Sequence, residues 1–147
     1  NTGQESEVTI RVKAGDRWIL EDNVVLEILW PPENIQGPLI PHFTYGNYRI
    51  LLPGDATTLV ERALVEQYGQ QLSSQVMLLP RHGASTAATP AFLQAVKPEV
   101  VVVTGTSPVS PYVLARVTDS ERYQTAYHGN IEFIFTGENY KIKTTRD

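Results

Sequence analysis

The chain has no cysteine. Disulfides, zinc–thiolate centres and cysteine nucleophiles are therefore excluded, although a disulfide-free domain can work on either side of a membrane. No apolar run approaches the ~20 residues that a membrane-spanning helix needs. There is no internal repeat and no low-complexity tract. Basic charge is not in excess: the formal net charge is -4, against the basic face usual in a dedicated nucleic-acid binder. A small basic group, Lys141, Lys143 and Arg146, stands near the end and reads either as a local strip or as a solvated strand face. Histidine is scarce, with three in the chain, which limits any histidine-rich metal centre.

What is present describes a globular domain. The 147 residues are 41% hydrophobic and 19% charged, enough for a true core without staples. They fit a single domain or a fragment of one. No secretory signal is visible in the polar start "NTGQESE", so residues 1–7 are expected to be disordered and the natural chain to extend upstream.

The first third has strand character. "VTIRV" alternates apolar and polar residues, "AGD" is a turn, and "RWIL" and "VVLEILW" are two further strands, the last ended by Pro31 and Pro32. "PPENIQGPLIP" carries four prolines and a glycine and is a loop. "HFTYGNYRILL" reads as a hairpin turning at Gly46 and Asn47. The rhythm then changes. Val60, Ala63, Leu64 and Tyr68 are spaced for one face of a helix, Thr58 and Glu61 make a capping-box pattern, and Gly69 is a natural stop. "SQVMLLP" is a strand, and "TPAFLQAVKP" a helix capped by Thr89 with Pro90 in its first turn. "EVVVVTG" is a strand covered on both faces, and "SPYVLARV" a short helix capped by Ser110. "RYQTAY", "NIEFIF" and "YKIKT" close the chain as strands. This order predicts an α/β or α+β layered domain with a mixed sheet and flanking helices.

Chemistry in such sheets gathers beyond the carboxyl ends of the strands. Two apolar strands stop at a proline and then present polar groups: "LLPGDATT" offers Asp55, and "LLPRHGAST" offers Arg81, His82, Ser85 and Thr86. Taken singly, Asp55 reads as a carboxylate favoured near a helix start, and His82 as an ordinary loop residue. If the two strands are neighbours, Asp55 and His82 share one rim, which is how a binuclear metal hydrolase gathers some of its ligands.

In "LLPGDATTLVERALVE" followed by "VMLLPRHGASTAATPAFLQAVKPEVVVVTG", the chain resembles the metallo-β-lactamase-like domain of ComEC-type competence proteins, which import DNA across bacterial membranes. In that family one strand ends in Leu-Thr/Pro-Gly-Asp and the next in Pro-His-His-Gly-Ser. The likeness runs back to "AGD" and "VVLEILWPP" and on to "YQTAYHGNIEF", so residues 8–135 form the metallo-β-lactamase-like portion and 136–147 a terminal strand. The resemblance implies the C-terminal part of an αββα fold and metal-dependent phosphodiester hydrolysis. It also implies Asp55 and His82 as metal ligands, with Gly54 and Gly83 as the glycines of the two turns. The metal would be zinc or manganese. The implied partners are DNA and the remainder of a membrane-embedded parent protein. The implied location is a soluble bacterial domain on the outer side of the cytoplasmic membrane.

The departures from the family pattern are specific. The His-x-His-x-Asp-His motif is absent, Arg81 replaces the first histidine of the pair, Ala84 stands at the serine position, and "GTSPVSP" lacks the family's histidine. The family's Asn-rich segment ahead of the hairpin is reduced to "IQGPLIP". His128, before Gly129, reads as a turn residue, and His42 as the start of a hairpin strand. Two donors fall short of the three that a catalytic zinc takes. The isolated chain is therefore expected to bind metal weakly or not at all and to be catalytically incomplete. Arg81, Ser85 and Thr86 are expected to contact substrate, with Arg81 suited to a phosphate. Two alternatives stay open: a non-catalytic protein-interaction scaffold, and a hydrolase completed by upstream residues or another chain.

Overall fold

A computed structural model describes residues 9–147. The expectations for residues 1–7, and for Val8, lie outside the described residues. Among the described residues nine strands form two sheets. The larger contains seven: β1 (Arg17–Ile19), β2 (Val25–Trp30), β3 (Ile40–Tyr45), β4 (Tyr48–Leu51), β5 (Val76–Leu78), β6 (Val100–Val103) and β7 (Glu121–Gln124). They lie in sequence order across the sheet. The first four pair antiparallel, and β4 to β7 pair parallel.

Parallel neighbours need crossover connections. These are helices α1 (Thr58–Tyr68), α2 (Pro90–Val96) and α3 (Pro111–Arg116). Right-handed crossovers that always step in one direction deliver every helix to the same face. Leu64, Phe92, Val96 and Val113 from the helices accordingly bury against Leu51, Met77, Val101 and Val103 from the sheet. The opposite face takes the antiparallel hairpin of β8 (Ile131–Phe135) and β9 (Tyr140–Thr144), whose Ile131, Phe133, Tyr140 and Ile142 cover Val76, Val100 and Val102. Strand β6 therefore buries alternate valines on both faces, which explains its unbroken apolar run. The result is one helical layer, one full sheet and two strands of a second sheet.

The expected helices and hairpin turn are present: Tyr45 pairs with Tyr48 across Gly46 and Asn47, and Thr89 and Ser110 cap α2 and α3. Four local expectations need correction. Residues 9–12 of "VTIRV" form no strand, and Ile10 is exposed; the segment that residues 11–13 adjoin, 31–36, opens with Pro31 and Pro32, which have no N–H to donate to a ladder. The hairpin begins at Ile40, so His42 lies inside β3 and is buried. "RYQTAY" is a strand only to Gln124, after which 125–128 turn into a one-turn helix, α4 (Thr125–His128). The capping box is displaced as well. Thr57, not Thr58, caps α1 by accepting from Val60 N at 3.4 Å, which puts Glu61 one position too far along to reach back to the cap.

Glu61 is instead fully buried. Its carboxylate oxygens accept from the backbone N–H groups of Ala88 and Thr89, each at 2.8 Å. Arg116 donates to the carbonyl of Ala87 at 3.2 Å. The far end of the 79–89 connection is thus clamped from α1 and α3 together.

Candidate functional site

The carboxyl ends of β4, β5 and β6 form one rim because these strands are parallel neighbours. After β4, Pro53 accepts from Ala56 N at 3.0 Å and closes a turn with Gly54 at a left-handed φ of 54°. This turn exposes Asp55. After β5, Arg81 and His82 both adopt left-handed backbone, with φ 49° and 53°, and Gly83 follows at 76°. Two consecutive non-glycine residues in this region are costly, roughly 1–2 kcal/mol each.

Tethers to both neighbouring strand ends offset that strain. Arg81 N donates to the Gly54 carbonyl at 2.9 Å, joining the Asp55 turn to the His82 turn. Ser110 N donates to the Gly83 carbonyl at 3.0 Å. His82 Nδ1 lies 3.0 Å from the Thr104 carbonyl oxygen and 2.9 Å from Thr104 Oγ1. A carbonyl only accepts, so its contact assigns the Nδ1 proton and leaves the Nε2 lone pair unengaged among the described residues. Arg81 donates from one guanidinium nitrogen to Thr86 Oγ1 at 3.1 Å, and the Thr86 carbonyl accepts from Thr58 Oγ1 at 3.1 Å. No carboxylate lies within ion-pair distance of Arg81 among the described residues. Ser85 is exposed and makes no hydrogen bond among them.

The structure thus brings Asp55, Arg81, His82 and Thr86 to one rim. Gly83 is required there on two grounds. Its φ is left-handed, and a Cβ at this position would stand 2.7 Å from Val109 Cγ1, a side chain that is itself buried. Gly83→Ala is expected to destabilise the chain by on the order of 2 kcal/mol. Urea unfolding measures this, and an unchanged midpoint would mean that the turn relaxes freely.

Sequence reasoning did not find Thr104, which orients His82, or Glu61, which fixes the loop end. Glu61 did carry a signal, since it lies three residues before Leu64 on the buried face of α1. A divalent metal is what the family resemblance implies, and the donor chemistry decides whether it fits. On that resemblance Asp55 and His82 would supply two ligands, beside the Arg81 guanidinium on the His82 turn. Among the described residues no group of three or more His, Asp or Glu side chains is placed to hold an ion. A catalytic zinc takes three protein ligands and an open position, so these residues do not fit such a centre.

Known proteins align with this architecture. The chain is 38% identical over 94 residues to the competence protein ComA of Neisseria gonorrhoeae, an alignment covering 60% of this chain and 14% of that protein. It is 24% identical over 110 residues to the uncharacterized protein YcaI of Escherichia coli, covering 69% of this chain and again 14% of that protein. The chain thus spans about one seventh of the length of each. No protein-family model matches. Among solved structures, a mutant of CmlA beta-hydroxylase superposes with a TM-score of 0.50 over 78% of this chain and 32% of its own, at 11% identity. That likeness concerns the fold: a mixed sheet with flanking helices of the metallo-β-lactamase-like kind. Among the described residues no helix is long and apolar enough to cross a membrane.

Proposed function

We propose that this chain is a metallo-β-lactamase-like domain, or the larger part of one, from a ComEC-type bacterial DNA-uptake protein. Its rim meets the phosphodiester backbone through Arg81 and without a metal pair. Residues 8–135 carry the metallo-β-lactamase-like portion. The parent protein is membrane-embedded, and this domain faces the outer side of the cytoplasmic membrane.

The observation that carries the reading is the strained Arg81–His82 turn, tied by Arg81 N to the Gly54 carbonyl and by His82 to Thr104. Asp22 and Asn23 form another left-handed pair, but of residue types that tolerate it; at a bulky residue such as Arg81 it is strained, and such strain collects at functional sites. What the strain achieves is projection of a cation and an imidazole from the carboxyl-end rim. The guanidinium keeps donors beyond the one bonded to Thr86, in the planar fork that suits a phosphate. The Thr86 hydroxyl extends the same polar surface, the His82 ring lies beside it, and Asp55 flanks it on the neighbouring turn. The identity to a competence protein supports the same assignment.

DNA affinity in low salt tests this. Losing a charge-assisted contact costs roughly 1.5–3 kcal/mol, so Arg81→Ala is expected to weaken binding about 10- to 100-fold, with the lower end favoured by screening at an exposed turn. His82→Ala is expected to weaken it less, and Lys143→Ala hardly at all. Absence of DNA binding by the wild type at low salt would end the proposal. Equal loss in all three variants would mean diffuse electrostatics with no site at the rim.

A further inference from the structure

Further along the same edge of the sheet, a cavity of about 350 Å³ opens between α3 and the junction of β7 with α4. Pro108 and Leu114 supply apolar wall, and Arg122, Gln124, Tyr127 and His128 supply the rest of what matters here. In a chain of net charge -4, this cavity has one guanidinium and one imidazole in its lining and no carboxylate. Glu121 precedes Arg122 but engages the Tyr123 hydroxyl at 2.6 Å, on the alternate side of the strand.

The polar groups are held but not used up. His128 Nδ1 lies 3.0 Å from both the backbone N and O of Gln124, which leaves Nε2 without a partner among the described residues. The Gln124 side chain is buried, yet its only hydrogen bond among the described residues is a long one, 3.5 Å, from Nε2 to the Ser107 carbonyl. Tyr127 is 69% exposed although it borders the cavity, so one ring face is open. A site that binds a small molecule is typically a concavity of about this size, mostly apolar, with a few convergent polar groups.

We infer that this cavity binds a nucleoside monophosphate group, free or at the end of a strand. Arg122 and His128 take the phosphate, and Tyr127, Pro108 and Leu114 hold the flat base, whose edge meets the Gln124 amide. The guanidinium fork matches a phosphate dianion, and an open tyrosine face stacks any base. The site uses none of Asp55, Arg81 or His82, and the inference does not depend on the reading of that rim.

Calorimetric titration of the full chain with 2′-deoxyadenosine 5′-monophosphate tests it. The expected dissociation constant lies between about 10 µM and 1 mM. Arg122→Ala is expected to weaken binding about 10-fold or more. Tyr127→Ala is expected to weaken binding of the nucleotide but not of inorganic phosphate. Arg62→Ala, which removes an exposed charge from α1, leaves both unchanged. A parallel arm uses a six-nucleotide strand with and without its 5′-phosphate: binding that needs that phosphate and is weakened by Arg122→Ala supports the site with a strand end as its ligand. The inference is overturned if neither ligand binds below about 5 mM. It is equally overturned if Arg122→Ala and Arg62→Ala have the same effect, or if strand binding ignores the 5′-phosphate once the rim is disabled by Arg81→Ala.

Discussion

Glu61→Ala is expected to cost about 3–5 kcal/mol of folding stability. The wild-type carboxylate sits fully buried and accepts two backbone N–H groups at 2.8 Å. Removing it strands both donors in the interior, at roughly 1–3 kcal/mol each, and leaves a void where the side chain was. Glu61→Gln retains one acceptor and should lose less. At about 3 °C per kcal/mol for a chain of this size, the alanine variant should melt roughly 10–15 °C lower. Hydrogen exchange of Ala88 and Thr89 should accelerate ahead of the strands. A loss below about 1 kcal/mol would show that water replaces the carboxylate without penalty, and the clamp would then be no structural element.

Acid should destabilise the chain through a second buried group. His42 lies inside the sheet–helix core, and its Nε2 is 2.9 Å from Ser74 Oγ. The Ser74 hydroxyl donates to the Leu72 carbonyl at 2.8 Å, so its oxygen receives the imidazole N–H. Burial first, and the Arg49 charge second, lower the imidazole from its ordinary 6.5 to about 4. The folded state therefore holds His42 neutral, while the unfolded chain takes up a proton below pH 6.5. Stability from this group is fully present above pH 6.5 and is lost as the pH falls through 4, a change on the order of 3 kcal/mol. Denaturant titrations from pH 7.5 to 4 should show wild-type stability falling more steeply than that of His42→Gln, which keeps an N–H for Ser74 but cannot titrate. The difference between the two proteins removes the common titration of carboxylates. Parallel curves between pH 6.5 and 5 would contradict the assignment.

Much of this architecture is legible from local chemistry. Thr89 with Pro90 and Ser110 with Pro111 announce helix starts because a cap is satisfied within three residues. The valines of β6 announce burial on both faces, since a strand covered on one side would alternate. The rim was legible too, because strands joined by single helices tend to be neighbours, which aligns the ends carrying Asp55 and His82. What escaped the sequence depends on distant partners. Glu61 fits a local capping box and a buried clamp equally well, and only the 88–89 backbone distinguishes them. "VTIRV" has the alternation of a strand, but the segment that residues 11–13 adjoin opens with Pro31 and Pro32, which cannot donate to a ladder. The left-handed pair at Arg81 and His82 had no glycine or asparagine to mark it; tethers from Gly54 and Thr104, 27 and 22 residues away in sequence, impose it. The cavity at Arg122 and His128 is likewise assembled by three separate segments and leaves no motif.

DNA affinity measured in EDTA and again with zinc or manganese decides whether the Arg81 rim meets phosphate without a metal. The expected result is the same dissociation constant in all three conditions and an intact strand throughout. Binding or cleavage that EDTA abolishes and either metal restores would contradict it, and would return Asp55 and His82 to the role of ligands in a metal centre.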